Sequence, residues 1–233
     1  EDKSCQDILD STDTCLKKIF YIGDKDIVFV KNETQLDEHC EEIKKSYQCV
    51  RRFGKCLRLF PKQVFTMLLR GGKKVIKERC DTKNGRKEFL KHTKCLRFPD
   101  IFDYNKCADK GVIVLNLINK TASVSELIPA LCCAFHDIVN CLEVKGEEHC
   151  ANYSGPGTGR YVSGIANSVV KDVIELSCGQ RKSLEQCYKY EPKWMKQFDE
   201  IGKQWASIKP QRQSYLNPVM SIAQKLDSPV GVR

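Results

Sequence analysis

The sequence predicts an all-α protein, a disulfide-stapled helical bundle built from two homologous six-cysteine modules. Three observations lead to this prediction. Fourteen of the 233 residues are cysteines, the spacing of these cysteines recurs along the chain, and apolar residues recur at steps of three and four. An even number of cysteines at repeated spacings is typical of a disulfide framework, and small helical cores often need one.

The cysteine spacing indicates an internal duplication. Four cysteines recur after a shift of 92 residues, for example from 15 to 107, and two more recur with small insertions. The matched pairs are Cys15 with Cys107, Cys40 with Cys132, Cys49 with Cys141, Cys95 with Cys187, Cys56 with Cys150, and Cys80 with Cys178. Cys5 and Cys133 are left over, and we expect them to bond each other and tie the N-terminus to the second module.

This repeat divides the chain into four parts. Residues 1–14 are an N-terminal leader, residues 15–97 a basic helical module, and residues 98–187 a second helical module. Residues 188–233 contain no cysteine and both tryptophans. We expect this amphipathic tail to pack on the two modules.

In the first module, helices are predicted at 36–56 and, most clearly, at 61–80. The second segment places its apolar residues on one helical face, and Pro61 suits a first turn. Gly71 and Gly72 lie in its middle, where each glycine costs about 1 kcal/mol relative to alanine. They indicate a kink or a close helix crossing.

In the second module, the same periodicity predicts helices at 125–143 and 162–176. Residues 27–30 and 112–115 are rich in β-branched side chains, and we expect buried segments there, extended or helical. In the tail, one helix is expected between Pro192 and Pro210, followed by a second short segment at 216–226.

Helix geometry restricts the disulfides. Cys49 and Cys56 are seven residues apart, so on one helix they would share a face about 10 Å apart. A disulfide requires Cα atoms within about 7 Å, so these two cysteines cannot bond each other. Cys40 and Cys49 point to opposite faces, and we expect each to reach a different neighbouring helix in a connectivity that is used twice.

Several features favour a secreted glycoprotein. Three N-x-[ST] sequons occur, at Asn32, Asn119 and Asn152, and seven disulfides suit an oxidising compartment. The chain starts at Glu1, from which we expect a removed signal peptide. The longest apolar run, at 112–118, is too short to span a bilayer, so no transmembrane anchor is expected.

The net charge of +9 is unevenly distributed. Residues 1–48 contain 7 basic and 12 acidic residues, whereas residues 49–97 contain 16 basic and 3 acidic residues. Such a block is either a solvated face, partly paired with the acidic segment, or a binding surface for a polyanion. Aromatic residues are not interleaved in it, so nucleic acid is not expected as a partner. The candidate anion-binding residues are Arg70, Lys73, Lys74, Lys77, Arg79, Arg86 and Lys87.

No pattern predicts catalysis, a metal site or a cofactor. The four histidines, His39, His92, His136 and His149, do not form a metal-binding spacing. The glycine-rich segment 155–159 lacks the spacing of a phosphate loop and is expected to be a flexible surface loop. We therefore expect a protein that is not an enzyme.

The cysteine pattern resembles a known group of proteins. The stretch Cys49-x6-Cys56-Leu57-x3-Pro61, the helix to Cys80, the closing Cys95 and the doublet Cys132-Cys133 are similar to cysteine-rich secreted helical proteins of arthropods and nematodes. The 27 kDa haemolymph glycoproteins of insects are one such group. The resemblance covers roughly residues 15–190 and implies an extracellular helical glycoprotein; it implies no catalytic residue.

Two functions follow as expectations. The first is an extracellular carrier of small apolar ligands, because disulfides can hold a cavity open that a small packed core would close. Its candidate lid residues are Trp194, Phe198, Ile201 and Trp205. The second is an interaction protein that docks on an anionic surface, which could be a sulfated glycan, a lipid or a microbial envelope. A structural or assembly role is a further alternative.

Overall fold

The structure, a computed structural model, describes residues 3–20, 28–98, 104–211 and 215–227. In these ranges it contains ten α-helices, two 3-10 helices (Gly54–Cys56 and Trp205–Ser207) and no strand, which confirms the all-α prediction. The α-helices are α1 (Lys3–Phe20), α2 (Glu33–Phe53), α3 (Leu59–Asp81), α4 (Lys83–Leu96), α5 (Tyr104–Thr121), α6 (Val124–Ser154), α7 (Thr158–Ser177), α8 (Leu184–Tyr190), α9 (Pro192–Lys203) and α10 (Leu216–Asp227).

The predicted helices at 61–80, 125–143 and 162–176 lie within α3, α6 and α7. The two β-branched segments differ from each other. Residues 112–115 are part of α5, whereas Val28, Phe29 and Val30 form an irregular connection in which the last two are buried. Ile27 lies outside the described residues.

Short polar side chains fix where several helices begin. The Asn32 Oδ1 accepts from the Gln35 backbone N–H at 2.9 Å. The Thr82 Oγ1 does the same for Gly85 at 3.0 Å, and the Ser183 Oγ for Gln186 at 3.2 Å. Each of these oxygens satisfies one of the N–H groups that a helix start leaves without an intrahelical acceptor.

Helix α6 is the centre of the second half of the fold. Four disulfides leave it, and its partners are Cys95 on α4, Cys107 on α5, Cys178 just after α7, and Cys187 on α8. Among the described residues, α6 is the one helix long and apolar enough to cross a membrane by length and composition. It packs against α4, α5, α7, α8, α9 and α10, which is the environment of a central core helix.

All fourteen cysteines are paired, but the predicted Cys5–Cys133 bridge is wrong. Cys5 bonds Cys56, and Cys133 bonds Cys187. The exact 92-residue shift pairs Cys95 with Cys187 as equivalent positions of the repeat. In the structure Cys95 bonds Cys150, the position equivalent to Cys56, just as Cys5 bonds Cys56. By its bonding, Cys95 is therefore equivalent to Cys5, which lies 90 residues before it. The reason is spatial: α1 places Cys5 beside Cys56, in the 3-10 helix that follows α2, whereas α6 places Cys133 beside Cys187 of α8.

With that correction, one connectivity occurs twice. The bonds Cys5–Cys56, Cys15–Cys49 and Cys40–Cys80 correspond to Cys95–Cys150, Cys107–Cys141 and Cys132–Cys178. The sequence separations are 51, 34 and 40 in the first set and 55, 34 and 46 in the second. The expectation that Cys40 and Cys49 reach different helices is confirmed, because their partners lie on α3 and α1.

Of the two glycines in α3, Gly71 lies at a close helix crossing. The sequence had left open whether these glycines mark a kink or such a crossing. A Cβ on Gly71 would lie 2.7 Å from the Cα of Val169 on α7 and against its carbonyl oxygen. Only a glycine lets the two backbones approach this closely. When Cys80 is matched with Cys178, Gly71 and Val169 are themselves equivalent positions of the repeat.

The buried side chains form two clusters. The first contains Leu36, Ile43, Phe53 and Phe89, and extends to Leu142 of α6. The second lies among α5, α6 and the C-terminal helices, and includes Leu127, Trp194, Met195, Phe198 and Ile222. The residues of α9 and α10 thus form part of the second cluster.

The glycine-rich segment at 155–159 forms a tight turn between α6 and α7, in which Pro156 is exposed and the last two residues already belong to α7. Thr158 and Gly159 are buried, and a Cβ on Gly159 would lie 2.6 Å from the Glu147 backbone nitrogen. The Glu147 carboxylate accepts from the N–H groups of Gly157 (2.9 Å) and Arg160 (3.0 Å). These bonds hold the start of α7 against α6.

Candidate anion-docking surface

The exposed side of α3 consists mainly of cations. Along this helix the apolar positions face the core, and Phe65, Val75 and Ile76 are buried there. The positions three or four residues apart on the opposite side carry Lys62, Arg70, Lys73, Lys74 and Lys77, and all five are exposed. We call these five residues the α3 basic face. It extends over about 22 Å, because 15 residue steps rise 1.5 Å each.

Within the described part of the chain, none of these five cations makes an ion pair. Other lysines of the protein do, such as Lys18 with Glu42 at 2.6 Å and Lys145 with Glu148 at 2.7 Å. One alternative from the sequence was that the basic block is neutralised by the acidic N-terminal segment. For the α3 basic face that pairing does not occur among the described residues.

Two of the predicted anion-binding residues are placed elsewhere. Arg79 is buried, donates to the Ile19 carbonyl at 3.3 Å and stacks over the Phe89 ring at 4.6 Å. Arg86 is half-buried and donates to the carboxylates of Glu33 (2.8 Å) and Asp37 (2.7 Å). These two guanidinium groups therefore make contacts within the fold, and neither belongs to the α3 basic face.

A second row of lysines follows on α4. Lys83, Lys87, Lys91 and Lys94 recur at steps of three and four, and all are exposed. Lys91 lies 3.8 Å from the Glu88 carboxylate. Lys87, which the sequence singled out, thus belongs to this row and not to the α3 basic face.

The N-terminal end of the α3 basic face is a shallow, partly apolar hollow. It has a volume of about 410 Å³ and is lined by Leu59, Lys62, Gln63, Thr66, Met67 and Arg70. Leu59 is 77% exposed and has a positive φ of 43°. Such a backbone conformation is unfavourable for a residue with a branched side chain.

The three sequons differ in accessibility. Asn32 and Asn152 are exposed, at the start of α2 and near the end of α6. Asn119 is half-buried within α5, and its Oδ1 is buried without a hydrogen bond. Its backbone carbonyl accepts from Lys225 of α10, which lies across this part of α5.

Two of the predicted lid residues lie in the core, and the other two are partly buried against it. Trp194 and Phe198 are 2% and 0% exposed, and both belong to the second cluster, against which Ile201 also packs. Trp205 packs against the first cluster, and the ammonium groups of Lys106 and Lys145 lie 5.7 and 5.9 Å from its ring centre.

One buried group has the residue types of a hydrolytic triad. The His92 Nδ1 shares a hydrogen bond of 2.9 Å with the Thr158 Oγ1, and its Nε2 lies 3.3 Å from the Glu88 carboxylate. Thr158 is completely buried, however, and the His92 ring stacks on Tyr161. A nucleophile must be reached by its substrate, so this contact joins α4 to α7.

Burial lowers the pKa of three histidines, His39, His92 and His136. It lowers the pKa of His39 to about 3, with a further contribution from the positive charge of Arg79. Among the described residues, no group of three or more His, Cys, Asp or Glu side chains is arranged to hold a metal ion.

No protein-family model, no curated protein and no solved structure matches this chain. The seven disulfides favour an oxidising, extracellular compartment. The resemblance to secreted arthropod and nematode proteins stays a prediction.

Proposed function

We propose that this protein is a secreted interaction protein that docks on polyanionic surfaces through the α3 basic face. The observation that carries the proposal is the row of five exposed cations on one side of one helix, which make no ion pair with any residue that the structure describes. Five solvated charges fixed about 22 Å from end to end match an extended anion better than a single small ion.

The physics of this contact is electrostatic. Fixed cations displace the counterions of a polyanion, and the attraction acts over a Debye length of about 8 Å at physiological salt. Helix α3 is held by its crossing with α7 and by Cys40–Cys80, so the backbone that carries the charges needs no ordering when they bind. No exposed residue of α3 is aromatic, so base stacking would be missing for a nucleic acid.

The equivalent helix of the second half shows that the fold does not require this charge. With Cys80 matched to Cys178, the positions of the five residues of the α3 basic face correspond to Arg160, Ser168, Lys171, Asp172 and Glu175. These five residues are also exposed, and their formal charges sum to 0, compared with +5 on α3. The cationic face of α3 is thus absent from α7, the helix at the equivalent positions.

The test is retention on a heparin column and sedimentation with vesicles that contain phosphatidylserine. The triple variant Lys73→Glu, Lys74→Glu, Lys77→Glu should lose most of its salt-dependent retention. The control variant Lys120→Glu, Lys182→Glu, Lys209→Glu changes net charge equally at scattered exposed positions and should keep it. Equal loss in both variants would reduce the effect to net charge and contradict the proposal.

The heparin column and the vesicles distinguish a sulfated glycan from a lipid surface as the anionic partner. Binding to heparin alone identifies a sulfated glycan, and binding to vesicles alone identifies a lipid surface, in which the exposed Leu59 would contact the acyl region. Binding to neither support at 150 mM salt would exclude docking.

The carrier of apolar ligands stays a second prediction, and its expected lid residues are occupied in core packing. Native mass spectrometry after mild organic extraction tests it, because a carrier releases a lipid, sterol or pigment. Internal duplication also stays an inference. It is supported by the repeated connectivity and by the crossing of α3 and α7 at equivalent positions.

A further inference from the structure

An open pocket of about 580 Å³ lies beside α9, in a part of the molecule that the docking function does not use. Helix α9 buries Trp194 and Phe198 on one side. Its other side forms a wall of the pocket, together with Lys110 of α5 and Tyr188 of α8. This volume is in the usual range for small-molecule sites.

The wall of the pocket contains a buried cation. The side chain of Lys110 is 8% exposed, and its Nζ donates to the Asp137 Oδ1 at 2.7 Å. An ammonium group has three N–H donors, and within the described residues Asp137 is its one hydrogen-bond acceptor. Such a pair loses solvation, and an apolar pair of similar volume would often be equally stable. Its position at a pocket therefore favours a binding role over a structural one.

A carboxylate faces the same pocket. Asp199 of α9 accepts from the Tyr188 hydroxyl at 2.8 Å. Burial raises the pKa of Asp137 against the opposing effect of Lys110, and the charge of Asp199 adds a smaller rise, which places Asp199 near the buried pair. The pocket thus presents a cation with unused donors and a carboxylate with unused acceptor capacity.

Gly202 keeps the cation accessible. A Cβ at this position would lie 3.4 Å from the Lys110 Nζ and 3.6 Å from its Cε. Gly202 is the residue before the last of α9. Because it has no side chain, this side of Lys110 is left uncovered, and a large side chain such as leucine at this position would lie against the ammonium group.

We propose that this pocket binds a small zwitterionic molecule of up to dipeptide size, with its carboxylate on Lys110 and its ammonium group on Asp199. Lys196, exposed at the edge of the pocket, adds a second cation for the carboxylate. Glu200 and Lys203 also line the pocket, and they pair with each other at 2.6 Å. The two charges of the ligand would therefore match Lys110 and Asp199, which distinguishes it from a simple anion or a simple amine.

Three probes of nearly equal size test the proposal on the intact chain, by saturation-transfer NMR and calorimetry. Alanylalanine carries both charges, N-acetylalanine only the carboxylate, and alanylalanine amide only the ammonium group. We expect alanylalanine to bind at least tenfold more tightly than either of the other two. The absence of binding at millimolar alanylalanine, or equal binding of all three probes, would overturn the proposal.

Two variants of the pocket, Gly202→Leu and Asp199→Asn, and one control variant outside it test where the ligand binds. Gly202→Leu should weaken alanylalanine binding at least tenfold, whereas Gly164→Leu, at a helical position of α7 with no atom within 4 Å of a Cβ, should leave it unchanged. Asp199→Asn should reduce the preference for alanylalanine over N-acetylalanine. Circular dichroism verifies that each variant is folded. Unchanged affinity in folded Gly202→Leu would place the ligand elsewhere and contradict the proposed site.

Discussion

Gly71 of α3 lies directly against the backbone of Val169 of α7, so that a Cβ on Gly71 would be 2.7 Å from the Val169 Cα. This contact joins the helix that carries the basic face to the equivalent helix of the second half. It determines how closely the two halves approach, because no side chain separates the two backbones there.

The first prediction concerns this crossing. Gly71→Ala should lower the free energy of unfolding by about 1–3 kcal/mol, the usual cost of forcing extra atoms into a packed contact. Gly164→Ala is the matched control, because Gly164 is also helical but has no atom within 4 Å of a Cβ. It should raise the free energy of unfolding by up to about 1 kcal/mol. Urea unfolding measures both, and similar effects of the two variants would show that the close contact is absent in solution.

The second prediction concerns the connectivity. Digestion without reduction should give a peptide that links Cys5 to Cys56 and a second peptide that links Cys133 to Cys187. Mass spectrometry of the digest identifies both. A peptide that joins Cys5 to Cys133 would instead support the connectivity expected from the exact 92-residue shift.

The third prediction concerns pH. The pKa of His39 and of His92 is lower in the folded protein than the ordinary value of 6.5, so the unfolded chain binds more protons as the pH falls below about 6.5. Their stabilising contribution is therefore present above pH 6.5 and is lost as the pH falls below it, for His39 down to about pH 3. Each such histidine adds at most about 1.4 kcal/mol per pH unit to the slope.

Urea unfolding between pH 7 and pH 4 measures this slope. His39→Gln and His92→Gln should each flatten the pH dependence of the unfolding free energy, whatever their effect at pH 7. Curves that run parallel to that of the unsubstituted protein would show that neither histidine is held neutral by burial.

The fourth prediction concerns glycosylation. In a eukaryotic secretory host, Asn32 and Asn152 should carry glycans and Asn119 should not, because α10 packs across α5 next to Asn119. Glycopeptide mapping measures the occupancy of each site. High occupancy at Asn119 would require α10 to lie elsewhere in the secreted protein.

The helices could be predicted from the sequence because their signal is local. Val75 and Ile76 recur with Phe65 on one side of α3, and this period requires nothing from the rest of the chain. The same periodicity also predicts that Arg79 lies on the buried side of α3. Arg79 follows Ile76 by three residues and Val75 by four, so it shares their side of the helix. Its assignment to the exposed basic surface was wrong because it rested on the neighbouring cations in the sequence and not on this periodicity.

The disulfide partners could not be predicted, because bonding depends on which helices meet in space. The 92-residue spacing makes Cys95 and Cys187 equivalent positions of the repeat. The bonding pattern instead makes Cys95 equivalent to Cys5, which lies 90 residues before it. The pocket at Lys110 was missed for a similar reason. In the sequence, Lys110 and Asp137 are isolated charged residues within two apolar helical patterns. The other residues of the pocket belong to α8 and α9, more than 50 residues further along the chain, and no local pattern connects them to Lys110.

The disulfide pairing has a consequence for the covalent topology. Every bond joins two residues within 5–80 or two residues within 95–187, so the chain is two closed networks connected by residues 81–94 alone. A protease that cuts once inside either network leaves a single covalent molecule. A single cut in the exposed connection around Thr82 yields two separate pieces, which then depend on noncovalent contacts such as the α3–α7 crossing to stay together.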